Sequence, residues 1–285
     1  MPRATATALG RKLEALRSRY ETPQALALDP LAIPSRFADP ADQEAAAWVA
    51  AHLAYGRVAP MMRAIEAALA PLGPHPASWL REAGPSEMAW LAEALSRWTW
   101  RFHVGQDIVG WCGAWKALDR ESAGKGLEPH LAPDGELDAD RRLSALVQRL
   151  RRELSPSRGL RFSLPDPLEN SACKRWRMFL RWMARRGWPD LGLWSSYPAS
   201  ALVIPLDTHV ARVSRLVGLS RRATPDGRMA QEITRALRTL DPADPLKYDF
   251  ALSHLGILGD CTGSRGRPEC GRCPLETVCA AGNRG

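Results

Sequence analysis

Residues 203–219 read VIPLDTHVARVSRLVGL. At helical spacing, Val210, Val213 and Val217 share one face while Arg212 and Arg215 lie elsewhere around it, so the segment reads as an amphipathic helix. Asp207 stands just before it, where a carboxylate can accept from the backbone N–H groups of the first turn. Outward from this stretch the same period recurs, and the Val/Ile/Thr alternation of strands is scarce. The expectation is an all-α fold, with helices over 43–54, 59–70, 88–102, 107–118, 139–154, 174–186, 208–217, 228–239 and 247–258. The N-terminal MPRATATALGRKLEALRSRY reads as the start of a further amphipathic helix. Residues 121–140, rich in Gly, Pro and acid, read as an exposed connection, and 155–171 and 188–198 read as loops.

The chain has 285 residues, 45% of them hydrophobic, which is enough for a buried core. The N-terminus lacks the apolar run of a signal peptide, and no stretch approaches the roughly 18 uninterrupted apolar residues of a membrane span. We expect a cytoplasmic, nucleoid-associated monomer without a membrane partner. The net charge of +8 is uneven: residues 1–150 carry 17 Lys/Arg against 18 Asp/Glu, and residues 151–285 carry 22 against 13. A cationic half attracts phosphates and gains from counterion release, so the composition points to a polyanion such as DNA. Arginine makes up 34 of the 39 basic residues, a bias that a GC-rich genome also produces.

Four of the six cysteines, Cys261, Cys270, Cys273 and Cys279, form the pattern Cys-x8-Cys-x2-Cys-x5-Cys. The close central pair can aim two thiolates at one centre, and four thiolates suit either tetrahedral zinc or an iron–sulfur cubane with one thiolate per iron. A disulfide framework is not expected in a cytoplasmic chain.

This spacing resembles the cluster motif of the endonuclease III and adenine-glycosylase branch of the helix-hairpin-helix DNA glycosylases. There the first gap is two residues shorter and the last three cysteines fall in the same register. The run Pro-Leu-Asp-Thr-His-Val resembles that family's catalytic-aspartate segment and precedes the cysteines by a similar distance. The combined wording RFADPxDxExAA, LAYGRV, KRWRMFLRWM and PLDTHV also looks like a little-characterised bacterial family allied to these glycosylases.

The resemblance implies a two-lobed helical fold, with residues 41–200 as a barrel-like lobe and 1–40 plus 201–285 as a cluster-bearing lobe. It implies a [4Fe-4S] cofactor on the four cysteines. It also implies a DNA repair glycosylase that flips a damaged or modified base from double-stranded DNA and cleaves its N-glycosidic bond. Asp207 would be the catalytic carboxylate, with Thr208 and His209 as orienting or packing neighbours. A fixed carboxylate stabilises the positive charge that develops on the sugar, and the helix N-terminus at Thr208 favours anions. Arg265, Arg267 and Arg272 of the cysteine loop would contact phosphates.

Residues 171–186, SACKRWRMFLRWMARR, hold six basic residues and no acidic ones. The expected helix packs Met178, Phe179, Trp182 and Met183 and presents a cationic face. By the same resemblance Lys174 is the candidate amine nucleophile of an AP-lyase step, with Arg175 and Arg177 near it and on DNA. Where the family has a glycine-rich hairpin this chain has Leu-Glu-Asn-Ser-Ala-Cys, and Lys174 and Asp207 lie 33 positions apart, farther than in endonuclease III. The 45–69 stretch, broken at Gly56, resembles the glycosylase segment that ends at the DNA wedge, making Tyr55 and Arg57 candidates to fill the hole left by a flipped nucleotide. The tryptophans, Trp98, Trp100, Trp111 and Trp115 among them, are expected in the core. The alternative reading is a non-catalytic iron–sulfur protein that binds damaged or unusual DNA.

Overall fold

Asp39 begins the helix around which much of the molecule packs. In the computed structural model, which describes residues 3–134, 138–264 and 269–281, its side chain accepts from Ala41 N at 2.8 Å and from Asp42 N, and Pro40 occupies the first helical position. Both are standard start signals, because the first N–H groups of a helix lack intrahelical partners and proline has none to satisfy. Among the described residues the α-helices are α1 (Arg3–Tyr20), α2 (Pro23–Leu26), α3 (Pro40–Leu53), α4 (Val58–Leu69), α5 (Pro76–Glu82), α6 (Pro85–Ala94), α7 (Gly105–Glu121), α8 (Glu128–Leu131), α9 (Ala139–Glu153), α10 (Arg158–Ser163), α11 (Lys174–Ala184), α12 (Thr208–Leu216), α13 (Gly227–Arg238) and α14 (Asp249–Ile257). The fold is mostly helical, as the sequence predicts. No helix among the described residues is long and apolar enough to cross a membrane.

Every residue of α3 from Glu44 to Leu53 is buried. Its alanines let α4, α5, α7 and α11 approach closely, and Trp48 fills the space between them. Trp48 meets Trp111 at 5.1 Å, Trp176 at 5.3 Å and Phe179 at 5.5 Å, all edge-on, and donates from Nε1 to Trp111 O at 2.9 Å. Edge-to-face pairs of this kind each add about 0.5–1.5 kcal/mol beyond the area they bury. Trp111 and Trp115 are buried as expected, and Trp98 and Trp100 pack partly buried against the core.

Three local expectations are corrected. The helix over 88–102 stops at Ala94, and Thr99–Trp100 (β1) pairs antiparallel with His103–Val104 (β2). Trp98 Nε1 donates to Ala64 O and Trp100 Nε1 to Leu53 O, which fixes the segment in extended form, and Arg101 turns the chain at a left-handed φ of 53°. The connection over 121–140 is not exposed throughout: Leu127 and Leu131 are buried, and Leu127 N donates to the buried Glu44 carboxylate. The loop over 155–171 contains α10, capped by the Ser157 hydroxyl on Leu160 N at 2.9 Å.

The cationic face expected on α11 is absent, since Arg175 and every residue after it in the helix is buried. Carboxylates from other segments compensate the charge. Arg177 pairs with Asp140 at 2.5 Å, Arg181 with Asp190 at 3.0 Å and with Asp249, and Arg185 with Asp190 and Asp244, both at 2.9 Å. On the far side α1, α12 and α14 pack together, so the first helix joins the C-terminal elements, tied by Tyr248 Oη donating to Glu14 at 2.9 Å.

Candidate active site

Three breaks in helical structure meet at one cleft of about 400 Å³. The first lies between α3 and α4, where Gly56 adopts φ 99° against the Trp100 and Arg101 side chains, a conformation that other residues rarely reach. The second is the start of α11, entered through left-handed Asn170 (φ 62°) and Cys173 (φ 48°). The third is the start of α12. Helix ends leave backbone groups and first-turn side chains free to face a ligand, which is why such junctions make sites.

Asp207, Thr208 and His209 line the cleft from α12, Lys174 from α11, and Tyr55 from the α3–α4 junction. The sequence-derived residues Asp207 and Lys174, 33 positions apart, thus border the same space. Asp207 is half-buried and its Oδ1 accepts from Val210 N at 2.7 Å, the capping role read from the sequence. Lys174 Nζ donates to Ala54 O at 3.4 Å. His209 packs against α14 at Gly256, where an added Cβ would lie 2.4 Å from the imidazole. Arg212, one turn further, stands 3.2 Å from His209 Nδ1 and donates to Cys261 O at 2.5 Å.

Tyr55 is held rather than free. Its Oη donates to Trp100 O at 3.1 Å and lies 2.7 Å from His103 Nδ1, whose Nε2 is 2.6 Å from Ser163 Oγ. Burial drives the His103 imidazole down to about 4, so it is neutral at physiological pH. Phe162 meets the Tyr55 ring at 4.8 Å, and Arg175 lies over Phe162 at 3.8 Å and donates to its carbonyl. Arg175 and Arg177 therefore do not stand on a surface where phosphate contact was expected, while Arg57, between the cleft residues Gly56 and Val58, is exposed.

Two polar residues of the cleft escape a sequence reading. Asp249 and Arg181 both line it, buried and ion-paired to each other. An Asp in the first turn of the apolar run FALSHLGI is the one local signal. Its partner 68 positions away has none.

The four cysteines line a second cavity, together with Leu216, Asp260, Glu269 and Glu276. Successive tight turns present them: Cys273 N donates to Cys270 O at 3.0 Å, Glu276 N to Cys273 O at 3.1 Å and Cys279 N to Glu276 O at 3.2 Å. Burial first, and then the proximity of Cys261 and Cys279, push the Cys273 thiol up. Among the described residues no three His, Cys, Asp or Glu side chains close on a single-ion position. The donor chemistry, four thiols without imidazole on one cavity, suits a thiolate-bound centre. Arg272 is exposed on this loop and its carbonyl accepts from Arg19 at 2.6 Å; Arg265 and Arg267 lie outside the described residues. Cys112 and Cys173 are buried elsewhere, their thiols pushed up to about 12 and about 11 by burial, and take no part.

Residues 29–258 match a protein family throughout. The chain belongs to DUF2400, described as a protein family of unknown function. No curated protein and no solved structure matches it. The DUF2400 match takes in Tyr55, Lys174, Asp207 and Asp249 and ends at residue 258, so the four cysteines fall beyond it. The helix-hairpin-helix likeness rests on the sequence motifs alone.

Proposed function

We propose that this DUF2400 protein is a DNA N-glycosylase acting on a damaged or modified base flipped out of double-stranded DNA. The observation that carries the reading is the meeting of Asp207 and Lys174 in one cleft from two separate helix starts. Rupture of the C1′–N bond leaves its electron pair on the base and positive charge on the sugar. A carboxylate fixed at a helix start stabilises that charge without reorganising, and water delivers hydroxide to C1′. The cleft is large enough to receive a base, and its apolar wall of Leu28, Pro30, Met61, Met178 and Ile257 offers contact to the ring faces. Lys174, if it attacks C1′ as a free amine, adds an AP-lyase step.

The cysteine set fits a [4Fe-4S] cluster, which would be structural and would brace the loop near DNA. A second reading, a non-catalytic iron–sulfur protein that recognises damaged or unusual DNA, draws on the altered hairpin. Its backbone is engaged internally, with Asn170 O accepting from Gly227 N at 2.9 Å and Asn170 Oδ1 from Arg228 N at 3.1 Å.

The test is a panel of duplexes carrying uracil, hypoxanthine, 8-oxoguanine, alkylated bases or an abasic site, scored for base release and strand nicking. Asp207→Asn is the control, because asparagine caps a helix about as well as aspartate and removes only the charge. We expect base release from at least one duplex and its loss by several orders of magnitude in Asp207→Asn, with the thermal midpoint unchanged. Tight binding with no release from any member would leave the binder reading standing. Borohydride trapping that survives Lys174→Ala removes the lyase step from Lys174.

A further inference from the structure

Asp249 opens α14 at 2% exposure on the wall of the cleft that holds Asp207. Its Oδ2 pairs with Arg181, while its Oδ1 is buried without any hydrogen-bond partner among the described residues. Arg181 is itself shared, its Nε binding Asp190 Oδ1 at 3.0 Å, so one guanidinium serves two buried carboxylates. An orphaned buried acceptor is costly and uncommon in folded proteins, and at the edge of a cleft it calls for a ligand. Asp29, on the same wall, differs: its Oδ1 accepts from Leu31 N at 2.9 Å, and neither of its oxygens is a buried acceptor left unpaired among the described residues.

We propose that Asp249 is a second carboxyl group of the reaction centre, the one that carries the proton. This rests on the glycosylase reading. As water attacks C1′, its oxygen forms the new C–O bond and one of its protons passes to the carboxylate of Asp249, which lines the cleft. The C1′–N bond breaks with its electron pair leaving on the base nitrogen, and that nitrogen then takes the proton from Asp249. The products are the free base and the abasic sugar, and both carboxylates are regenerated. Asp207 faces the sugar throughout.

The groups around Asp249 make it suited to the task. Arg181 faces it from α11, Asp190 from the segment that follows, Asp207 from the start of α12, and His254 lies further along α14 beside Asp29. Burial pushes its carboxyl up to about 6; Arg181 opposes this, while Asp207 and Asp190 add to it. Near neutrality such a group can both accept and return a proton, which is the condition for efficient proton transfer.

Two measurements on the full chain test the assignment. In carbon-13 NMR of the carboxyl groups, a resonance titrating near pH 6 should disappear in Asp249→Asn and move to lower pH in Asp207→Asn, since the neighbouring negative charge is gone. A midpoint that stays put in Asp207→Asn overturns the coupling whatever the activity. In single-turnover base release on the duplex that reacts in the panel, the wild-type rate should fall about tenfold per pH unit below pH 6. Asp249→Asn should lose that acid limb and about 10²–10⁴-fold in rate, with binding to a tetrahydrofuran abasic-site duplex retained. Asp249→Glu should recover part of the rate if the carboxyl, not the packing, is what matters. If the wild type reacts and Asp249→Asn keeps both rate and acid limb, the Asp249 assignment alone falls. If no duplex reacts with the wild type, the glycosylase reading falls and the proton-carrier role with it.

Discussion

His52 shows how far a single ring can depend on its surroundings. It is fully buried in the tryptophan core, stacked on Trp111 at 4.0 Å, with Nδ1 2.7 Å from Trp48 O and Nε2 without a partner. Burial lowers it to about 3, only partly offset by the bond to Trp48. A histidine whose pKa is depressed on folding contributes stability that is whole above its unfolded value of about 6.5 and is lost as pH falls towards its folded value. The stability gap between wild type and His52→Leu should therefore shift against the wild type by about 1.4 kcal/mol for each pH unit between 6.5 and 4. Chemical denaturation at several pH values reads this difference directly, because the leucine variant has the same cavity offset at each pH. A gap independent of pH would mean that His52 charges within the core without penalty.

At the scale of one helix, α11 is where charge and burial are hardest to reconcile. Arg185, the residue that follows its last turn, is buried and serves four acceptors: Asp244, Asp190 and the carbonyls of Gly187 and Trp188. Taking it away leaves Asp190 Oδ2 and the half-buried Asp244 without their cation while Arg181 still holds Asp190 Oδ1, and breaking a buried pair from one side costs about 3–5 kcal/mol. Arg185→Ala should lower the denaturation free energy by that amount with an unchanged denaturant slope; a loss under about 1 kcal/mol would mean the pair is solvent-relaxed. This helix also marks the limit of what the sequence discloses. Its span was legible from Met178, Phe179, Trp182 and Met183 at helical spacing, as the start of α12 was from Asp207. The fate of its arginines was not, because Asp140, Asp244 and Asp249 arrive from up to 68 positions away and no local pattern carries them. The same holds for the candidate site. Asp207 and Lys174 were legible as residue types next to helix starts, whereas Asp249 reads as an ordinary first-turn acid until its buried, unpartnered oxygen and its place among the cleft residues are seen together.

Across the whole molecule, the cysteine loop links elements that are far apart in sequence. Tyr20 at the end of α1 donates to Asp260 at 2.5 Å, Arg19 donates to Arg272 O, and Ala280 N donates to Leu216 O at 2.8 Å at the end of α12. Arg212 spans from the Cys261 carbonyl to His209, which lines the cleft. A loop of tight turns and partly exposed thiols has little apolar surface of its own, so its order should come from the centre that the thiolates bind. Protein purified without oxygen should then be brown, with broad visible iron–thiolate absorption and about four irons per chain. Cys273→Ser should lose the colour and melt several degrees lower, because α1 and α12 lose their shared anchor. Binding of undamaged duplex should also weaken in this variant, with a shallower dependence on salt, since Arg272 would no longer be held in place beside phosphate. Zinc in place of iron, at one ion per chain and without colour, would keep the anchoring role of the loop and remove the cluster; thiols that bind neither metal, with the midpoint unmoved in Cys273→Ser, would remove both.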